Sequence, residues 1–295
     1  LIVPDVEEDK RFYSQSDKSS GFTTKSILAV PLATPNHILG VAEVINRVDG
    51  KEFTNDDLDL FSTFCRQVTL AIENINMHRN ELEQERMRQQ LESARDIQQS
   101  FMPQDLPGGK DEPFELAAIN LPASAVGGDF YDAVELAENK LAILIGDVSG
   151  KGVPAALYMA RLMSDFRFFV QQTPQPAMLL KSLNEVLVER SRRGMFVTLL
   201  YTVIDKNTGM CTFCNAGHLP LLYRDASGKV REFPCESGFP LGIAPNINFQ
   251  EKHIALSKND MLLYITDGVI EAKNKTRQEF SANRVVNLLT DNNSF

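Results

Sequence analysis

Ile143-Leu144-Ile145-Gly146-Asp147-Val148-Ser149-Gly150-Lys151-Gly152-Val153-Pro154 is the stretch around which the chain is organised. A short apolar run ends on an acid, a glycine-rich turn follows, and a proline stands near the first turn of what reads as a helix. A strand of this kind is stiff and buried, so the carboxylate at its end is held in place. Gly150 and Gly152 let the chain reverse beside that carboxylate with no Cβ in the way. Taken alone, such an acid suits a metal ligand, a catalytic acid or a cap on backbone amides. Its company decides. Gly127-Gly128-Asp129-Phe130-Tyr131-Asp132 lies upstream and Ile265-Thr266-Asp267-Gly268-Val269 downstream, and each again sets an acid beside glycine at the end of an apolar strand.

The totals bound what these acids serve. A chain of 295 residues makes one large or two modest domains, and 43% hydrophobic with 23% charged residues is ordinary for a soluble globular protein. Lys plus Arg is 30 against 39 Asp plus Glu, a formal charge of −9. That balance argues against nucleic acid as partner and suits divalent cations. The apolar runs, such as 195–204 and 261–265, are too short to span a bilayer. The start carries no signal-peptide pattern, and a chain opening on Leu reads as a processed or excised piece.

Four cysteines do not make a disulfide framework in this length, which points to a reducing, cytoplasmic compartment. Cys211 and Cys214 form a C-x-x-C followed by His218 and Cys235, an invitation to read zinc. Residues 210–214 alternate like a strand, however, and a strand sets i and i+3 on opposite faces, unlike the turn of a zinc knuckle. Packing cysteines are the expectation.

The stretches around Asp129, Asp147 and Asp267, with Asn215-Ala216-Gly217-His218-Leu219-Pro220 between them, resemble the metal-dependent phosphatases of the PPM (type 2C) superfamily. The nearest branch is that of the bacterial sporulation stage II E and sigma-regulator phosphatases. The resemblance covers roughly two thirds of the chain, from near Ser93 to the end. It implies an α+β fold, the αββα sandwich of two antiparallel sheets. It implies further that Asp147 bridges two Mn²⁺ or Mg²⁺ ions, with the Val148 carbonyl helping to hold one. Asp267 then ligates the other, and Asp129 ligates directly or through water. Hard cations of this kind want carboxylate and carbonyl oxygens, and two of them activate a water for in-line attack on phosphorus.

Asp132 lies three residues beyond Asp129, faces away from it on an extended strand, and reads as structural. Eukaryotic members carry a candidate general-acid His two residues after the bridging Asp, where this chain has Ser149. His218 either gives a proton to a leaving alkoxide or orders its turn, the latter being the more ordinary role. Lys151 reads as a solvated turn lysine that can also meet phosphate near the helix start.

Upstream, residues 26–32 and 38–46 read as strands joined at Pro35-Asn36, followed by the Asp49-Gly50 turn and a helix opening at Thr54-Asn55-Asp56-Asp57. These stretches resemble the second half of a GAF sensory domain. Asn46, Arg47, Phe53 and Asp57 partly match the Asn-Lys-Phe-Asp-Glu signature of that family, with Arg47 for Lys and Leu58 for Glu. The departures speak against cyclic-nucleotide binding, and a small molecule or a protein remains as input. The helix then carries Leu58, Phe61, Cys65, Val68, Ile72 and Ile75 in steps of 3, 4, 3, 4, 3, a heptad seam. A second seam, Met87, Leu91, Ala94, Gln98 and Phe101, is one residue out of phase with it. A parallel homodimer through 58–101 and a solvated linker helix both fit. Met102-Pro103 ends the helix.

Beyond Pro107-Gly108-Gly109, strands are expected at 114–119, 129–136, 141–147, 196–204, 210–215, 219–223, 249–256 and 261–266, with helices at 153–170 and Pro176–Arg190. The first helix is expected to pack through Ala156, Leu157, Ala160, Met163 and Phe166. The division that follows is 1–76 as the C-terminal part of a GAF domain, 77–104 as helical linker and 105–295 as phosphatase domain. The superfamily closes its metal site with an acid on a final strand. Here a helix at 282–289 runs into Asp291-Asn292-Asn293-Ser294-Phe295, so the expectation is that this last strand and its acid are missing.

The function implied is a protein serine/threonine phosphatase acting on a phosphorylated regulator of the anti-sigma-antagonist type. The alternative is a catalytically weak, dimeric GAF-linked regulator that acts by protein binding.

Overall fold

Period-two alternation in the sequence becomes antiparallel sheet in the structure, a computed structural model that describes residues 1–13, 17, 21–109, 112–122, 125–190, 194–235 and 238–291. The chain divides into two compact units, Leu1–Arg88 and Gln89–Phe295. In the first, β1 (Ile2–Val3), β2 (Ile27–Ala33) and β3 (Ile38–Ile45) form one antiparallel sheet in that order. The hairpin between β2 and β3 closes where Thr34 N–H donates to His37 O at 2.9 Å.

The GAF-like signature residues build the corner that starts the long helix α1 (Asn55–Ser100). Asn46 sits at φ 54. Its carboxamide accepts from Lys25 and Ser26 N–H and donates to Thr23 O. Asp57 accepts from Thr54 N–H and Oγ1, both at 2.8 Å, and pairs with the Arg47 guanidinium. The motif thus makes a capping box and an ion pair.

The first seam on α1 does not face outward as a coiled coil requires. Cys65 and Thr69 are buried, and Leu58, Phe61, Val68 and Ile72 are half-buried, all covered within the chain itself. The exposed apolar residues Leu60, Phe64, Ile75 and Leu82 lie on a neighbouring face. Heptad spacing alone does not say which of two adjacent faces a domain claims for its own core.

In the second unit a five-stranded antiparallel sheet has the order β10-β7-β6-β5-β4. Its members are β4 (Phe130–Leu136), β5 (Lys140–Val148), β6 (Val197–Asp205), β7 (Met210–Ala216) and β10 (Glu251–Ala255). A three-stranded sheet has the order β11-β8-β9, from β8 (Leu221–Arg224), β9 (Val230–Phe233) and β11 (Met261–Leu263). Helices α2 (Val153–Gln172) and α3 (Pro176–Arg190) follow β5, and α4 (Asp267–Ile270) and α5 (Ala282–Thr290) follow β11.

Alternation along the strands sorts the side chains into layers. Leu144, Val148, Leu199 and Tyr201 pack with Met159, Leu162, Phe166, Leu179 and Leu183 of α2 and α3. Their neighbours Ile145 and Leu200 turn the other way, into a cluster with Cys211, Phe213, Leu221, Phe233 and Leu262. Leu222 then faces Val285 and Leu289 of α5. The order of layers is helix, sheet, sheet, helix, the expected αββα sandwich.

Two expectations need correction, and one strand goes beyond them. Residues 114–119 do not form a strand: the segment alternates but has no ladder partner, and Ile119 and Leu121 are exposed. Leu157 points outward, while Ala155, Met159, Leu162 and Val170 complete the buried face of α2. The strand β9 was not anticipated, because Val230-Arg231-Glu232-Phe233 is short and half charged. Residues 292–295 lie outside the described residues, so the structure speaks to the expected missing ligand only at Asp291, the cap that ends α5.

Cys211 and Cys214 sit in the two different clusters on opposite faces of β7, as strand geometry requires. Burial pushes both thiols up to about 12. All four cysteines are free. Among the described residues, no helix is long and apolar enough to cross a membrane.

Candidate metal centre

Asp147 is the penultimate residue of β5, two positions beyond Ile145. Period two puts both on the face that looks into the space between the sheets. Asp129 immediately precedes β4, whose Phe130 pairs with Gly146. Asp267 opens α4, four residues past the end of β11 in the other sheet. The five-stranded sheet therefore delivers two of the acids, and the segment after the three-stranded sheet delivers the third, to the same place. One oxygen from each of Asp129, Asp147 and Asp267 lies within 4.8 Å of the others. Asp129 and Asp147 are half-buried and Asp267 is exposed.

Crowded carboxylates resist ionisation. Burial, and behind it the charges of Asp129 and Asp267, pushes the Asp147 carboxyl up to about 7. Burial also raises Asp129; the Thr266 hydroxyl, which donates to Asp129 Oδ2 at 3.2 Å, opposes that rise and the charge of Asp267 adds to it.

The packing around the trio is close. A Cβ on Gly128 would stand 2.5 Å from Asp147 Oδ1 and 2.5 Å from the Val148 carbonyl oxygen. Val148 N–H donates to Gly128 O at 3.3 Å. The loop, the carboxylate and the carbonyl thus form one cradle of hard oxygen donors with unbalanced negative charge. This donor set fits divalent cations of the Mg²⁺ or Mn²⁺ type.

Three supports of the site were not anticipated. Gln98, buried at the end of α1, donates to Gly127 O, and its Oε1 accepts from Gly127 N–H at 3.2 Å. Asn120 donates to Asp129 O at 3.2 Å. Thr266 orients Asp129. The signal for Gln98 was a lone polar residue in an apolar seam; for Thr266 it was a hydroxyl directly before Asp-Gly.

The remaining candidates stand elsewhere. Asp132 is buried on Arg167, whose Nε donates at 2.8 Å and whose Nη2 also reaches Phe101 O at 3.0 Å. It ties β4 to α2 and to the turn after α1. Ser149, in the position of the eukaryotic His, exchanges hydrogen bonds with the Phe196 backbone. Lys151 is exposed.

His218 is buried with both ring nitrogens engaged. Nδ1 lies 2.9 Å from Thr198 Oγ1 and Nε2 lies 3.1 Å from Ile265 O. A carbonyl only accepts, so Nε2 carries the proton and Nδ1 accepts from the threonine. Burial lowers this imidazole to about 4. Its proton is committed to a backbone carbonyl, which supports the turn-ordering role over the acid role.

The αββα sandwich has the fold of the SiaA-PP2C domain of Pseudomonas aeruginosa, at 22% identity and a TM-score of 0.61, covering 71% of this chain and 83% of that one. The chain belongs to the stage II sporulation protein E (SpoIIE) family, whose pattern matches residues 137–294. A GAF-domain pattern matches residues 6–74.

Protein IcfG of Synechocystis sp. is 32% identical over 232 residues, which are 70% of this chain and 36% of that protein. Phosphoserine phosphatase RsbU of Bacillus subtilis is 30% identical over 190 residues, 64% of this chain and 56% of the relative. The chain thus spans between about a third and just over half of these curated relatives.

Proposed function

We propose that this chain carries a metal-dependent protein phosphatase that hydrolyses phosphoserine or phosphothreonine on a regulatory protein, of the kind that antagonises an anti-sigma factor. The observation that carries the reading is the convergence of Asp129, Asp147 and Asp267, from three separate elements, within 4.8 Å. The similarity to RsbU, a phosphoserine phosphatase by name, supports the substrate class. We assign the chain as 1–76 GAF input, 77–104 helical linker and 105–295 phosphatase, in the cytoplasm, where four free thiols are stable.

Asp129, Asp147, Asp267 and the Val148 carbonyl would hold two ions of Mn²⁺ or Mg²⁺. When bound, such cations supply Lewis acidity toward a phosphoryl oxygen and acidify a water. The chain's own groups do the holding. Thr266 fixes one Asp129 oxygen, and Gln98 and Asn120 fix the loop that presents Asp129.

The test is hydrolysis of p-nitrophenyl phosphate and of a phosphoserine protein with Mn²⁺, Mg²⁺ or EDTA. Cation-stimulated release of phosphate that EDTA abolishes is expected. Cation-independent hydrolysis would overturn the metal dependence; no hydrolysis, together with absent Mn²⁺ binding, would return the chain to the class of binding-only regulators.

Signal input through α1 is part of this reading, because Gln98 joins that helix to the Gly127-Gly128-Asp129 loop. A homodimer is the second part. Leu60, Phe64, Ala71, Ile75 and Leu82 recur in steps of 4, 7, 4 and 7, so they form one exposed apolar stripe on α1. Replacing Phe64 and Ile75 together by Glu should convert a dimer to a monomer by light scattering, with the fold intact by circular dichroism. An unchanged mass would remove this stripe as the contact. Val68 and Ile72 are unsuitable for the purpose, since they are half-buried within the chain.

A further inference from the structure

The two sheets that carry the acids are not joined to each other by any ladder among the named strands. Asp147 pairs with Thr198 of β6 in the large sheet, and Asp267 follows β11 in the other sheet. Three mutually repelling carboxylates at this junction push the sheet ends apart. Something other than the strands must hold them at ligand spacing.

His218 is built for that. Thr198 sits directly opposite Asp147 in the β5–β6 register, so their side chains share a face. Its hydroxyl meets His218 Nδ1 at 2.9 Å. The other end of the ring donates to the carbonyl of Ile265, 3.1 Å away and two residues before Asp267. The next residue, Thr266, bonds Asp129. One flat, rigid side chain therefore spans from the strand beside Asp147 to the segment that presents Asp267 and orients Asp129.

The ring is itself fixed from behind. Asn215 accepts from His218 N–H at 2.8 Å and donates to the His218 and Leu219 carbonyls. Gly217 adopts φ 70 against Pro240, whose Cγ would lie 2.7 Å from any Cβ there. Asn215, Gly217 and His218 thus act together: two of them set the third. Tyr264 also bonds the large sheet, donating to Thr202 Oγ1 at 3.0 Å, but it precedes Ile265 and so lies farther along the chain from Asp267.

We infer that His218 is a positioning residue of the metal centre, setting the spacing of Asp147 against Asp267 and Asp129 as a neutral hydrogen-bonded spacer. The inference rests on the metal-centre reading above and deepens it. Outer groups that orient ligands typically alter metal affinity by about 10- to 100-fold when removed.

The test is Mn²⁺ titration by calorimetry on wild type, His218→Ala, His218→Gln and Thr198→Val, with turnover measured in parallel. The alanine variant should bind Mn²⁺ about tenfold more weakly. Glutamine, whose amide N–H can still reach the Ile265 carbonyl, should recover much of that loss, and Thr198→Val should show a smaller loss. If His218→Ala fails to fold, the comparison of glutamine and valine variants with wild type carries the same question.

Wild-type Mn²⁺ affinity in every variant, even with lowered melting temperatures, would confine His218 to fold stability and overturn the inference. Lost turnover at unchanged Mn²⁺ affinity, without rescue by glutamine, would make it a proton donor and overturn it equally. Absence of Mn²⁺ binding in wild type would instead sink the metal centre itself.

Discussion

Asp147→Asn is expected to lower Mn²⁺-stimulated turnover by about a thousandfold, because cation stabilisation of phosphoryl transfer amounts to several kcal/mol. The same change should raise the melting temperature of the protein in EDTA. The second effect has its own cause. The folded chain pushes the Asp147 carboxyl from its ordinary 3.8 up to about 7, chiefly by burial and then through Asp129 and Asp267. A group whose pKa is raised on folding contributes stability that is complete below its unfolded value and lost as pH climbs through the folded one. The metal-free wild type should therefore lose stability as pH rises from 3.8 to about 7 and remain at the lower level above. Asparagine has no charge to desolvate and escapes that loss.

Thermal melts in EDTA at pH 5 and pH 8 measure it: the variant should melt above wild type at pH 8, and the gap should shrink at pH 5. If Asp147 merely capped backbone amides, the variant would melt lower at both pH values and turnover would hardly change.

The acids were legible in the sequence because each stands beside glycine at one end of an apolar strand, a pattern that local geometry dictates. Asp132 was legible for the converse reason: period two turns it from Asp129, and the structure places it on Arg167. The layers followed from alternation, since each strand's two faces meet different partners. What stayed hidden needs knowledge of the opposite surface. Gln98 reads as a blemish in a heptad until Gly127 stands across from it. The seam from Leu58 to Ile72 has coiled-coil spacing, but it lies on the face the chain covers itself, and only Ile75 at its end is exposed. Residues 114–119 alternate as a strand does, and no neighbour supplies the ladder. In the sequence alone His218 reads as a turn residue, because its two partners, Thr198 and Ile265, are remote from it.

Adjacent glycines give the sharpest test of the site's geometry. Gly128→Ala is expected to weaken Mn²⁺ binding by about a hundredfold or more, at the upper end of what outer supports contribute. Its new methyl would enter at 2.5 Å from both Asp147 Oδ1 and the Val148 oxygen, and 3.1 Å from Val148 N. None of these is the far end of a flexible chain: one is the carboxylate that must meet the cation and two are backbone. Relief requires a shift of several tenths of an ångström, whereas metal–ligand distances tolerate only about 0.2 Å.

Gly127→Ala, one residue earlier, places its methyl no closer than 4.0 Å to Asp129 N and to Pro122 Cβ. The bonds between its backbone and Gln98 remain possible, so its Mn²⁺ affinity should stay within about threefold of wild type, under 1 kcal/mol. Backbone entropy cannot produce such a contrast, because both changes remove one glycine from one loop. Calorimetric titration of the two variants with Mn²⁺ separates them. Equal losses would mean that loop stiffness and not the Gly128 cradle governs the centre; a loss confined to Gly128→Ala places the cation where that cradle is.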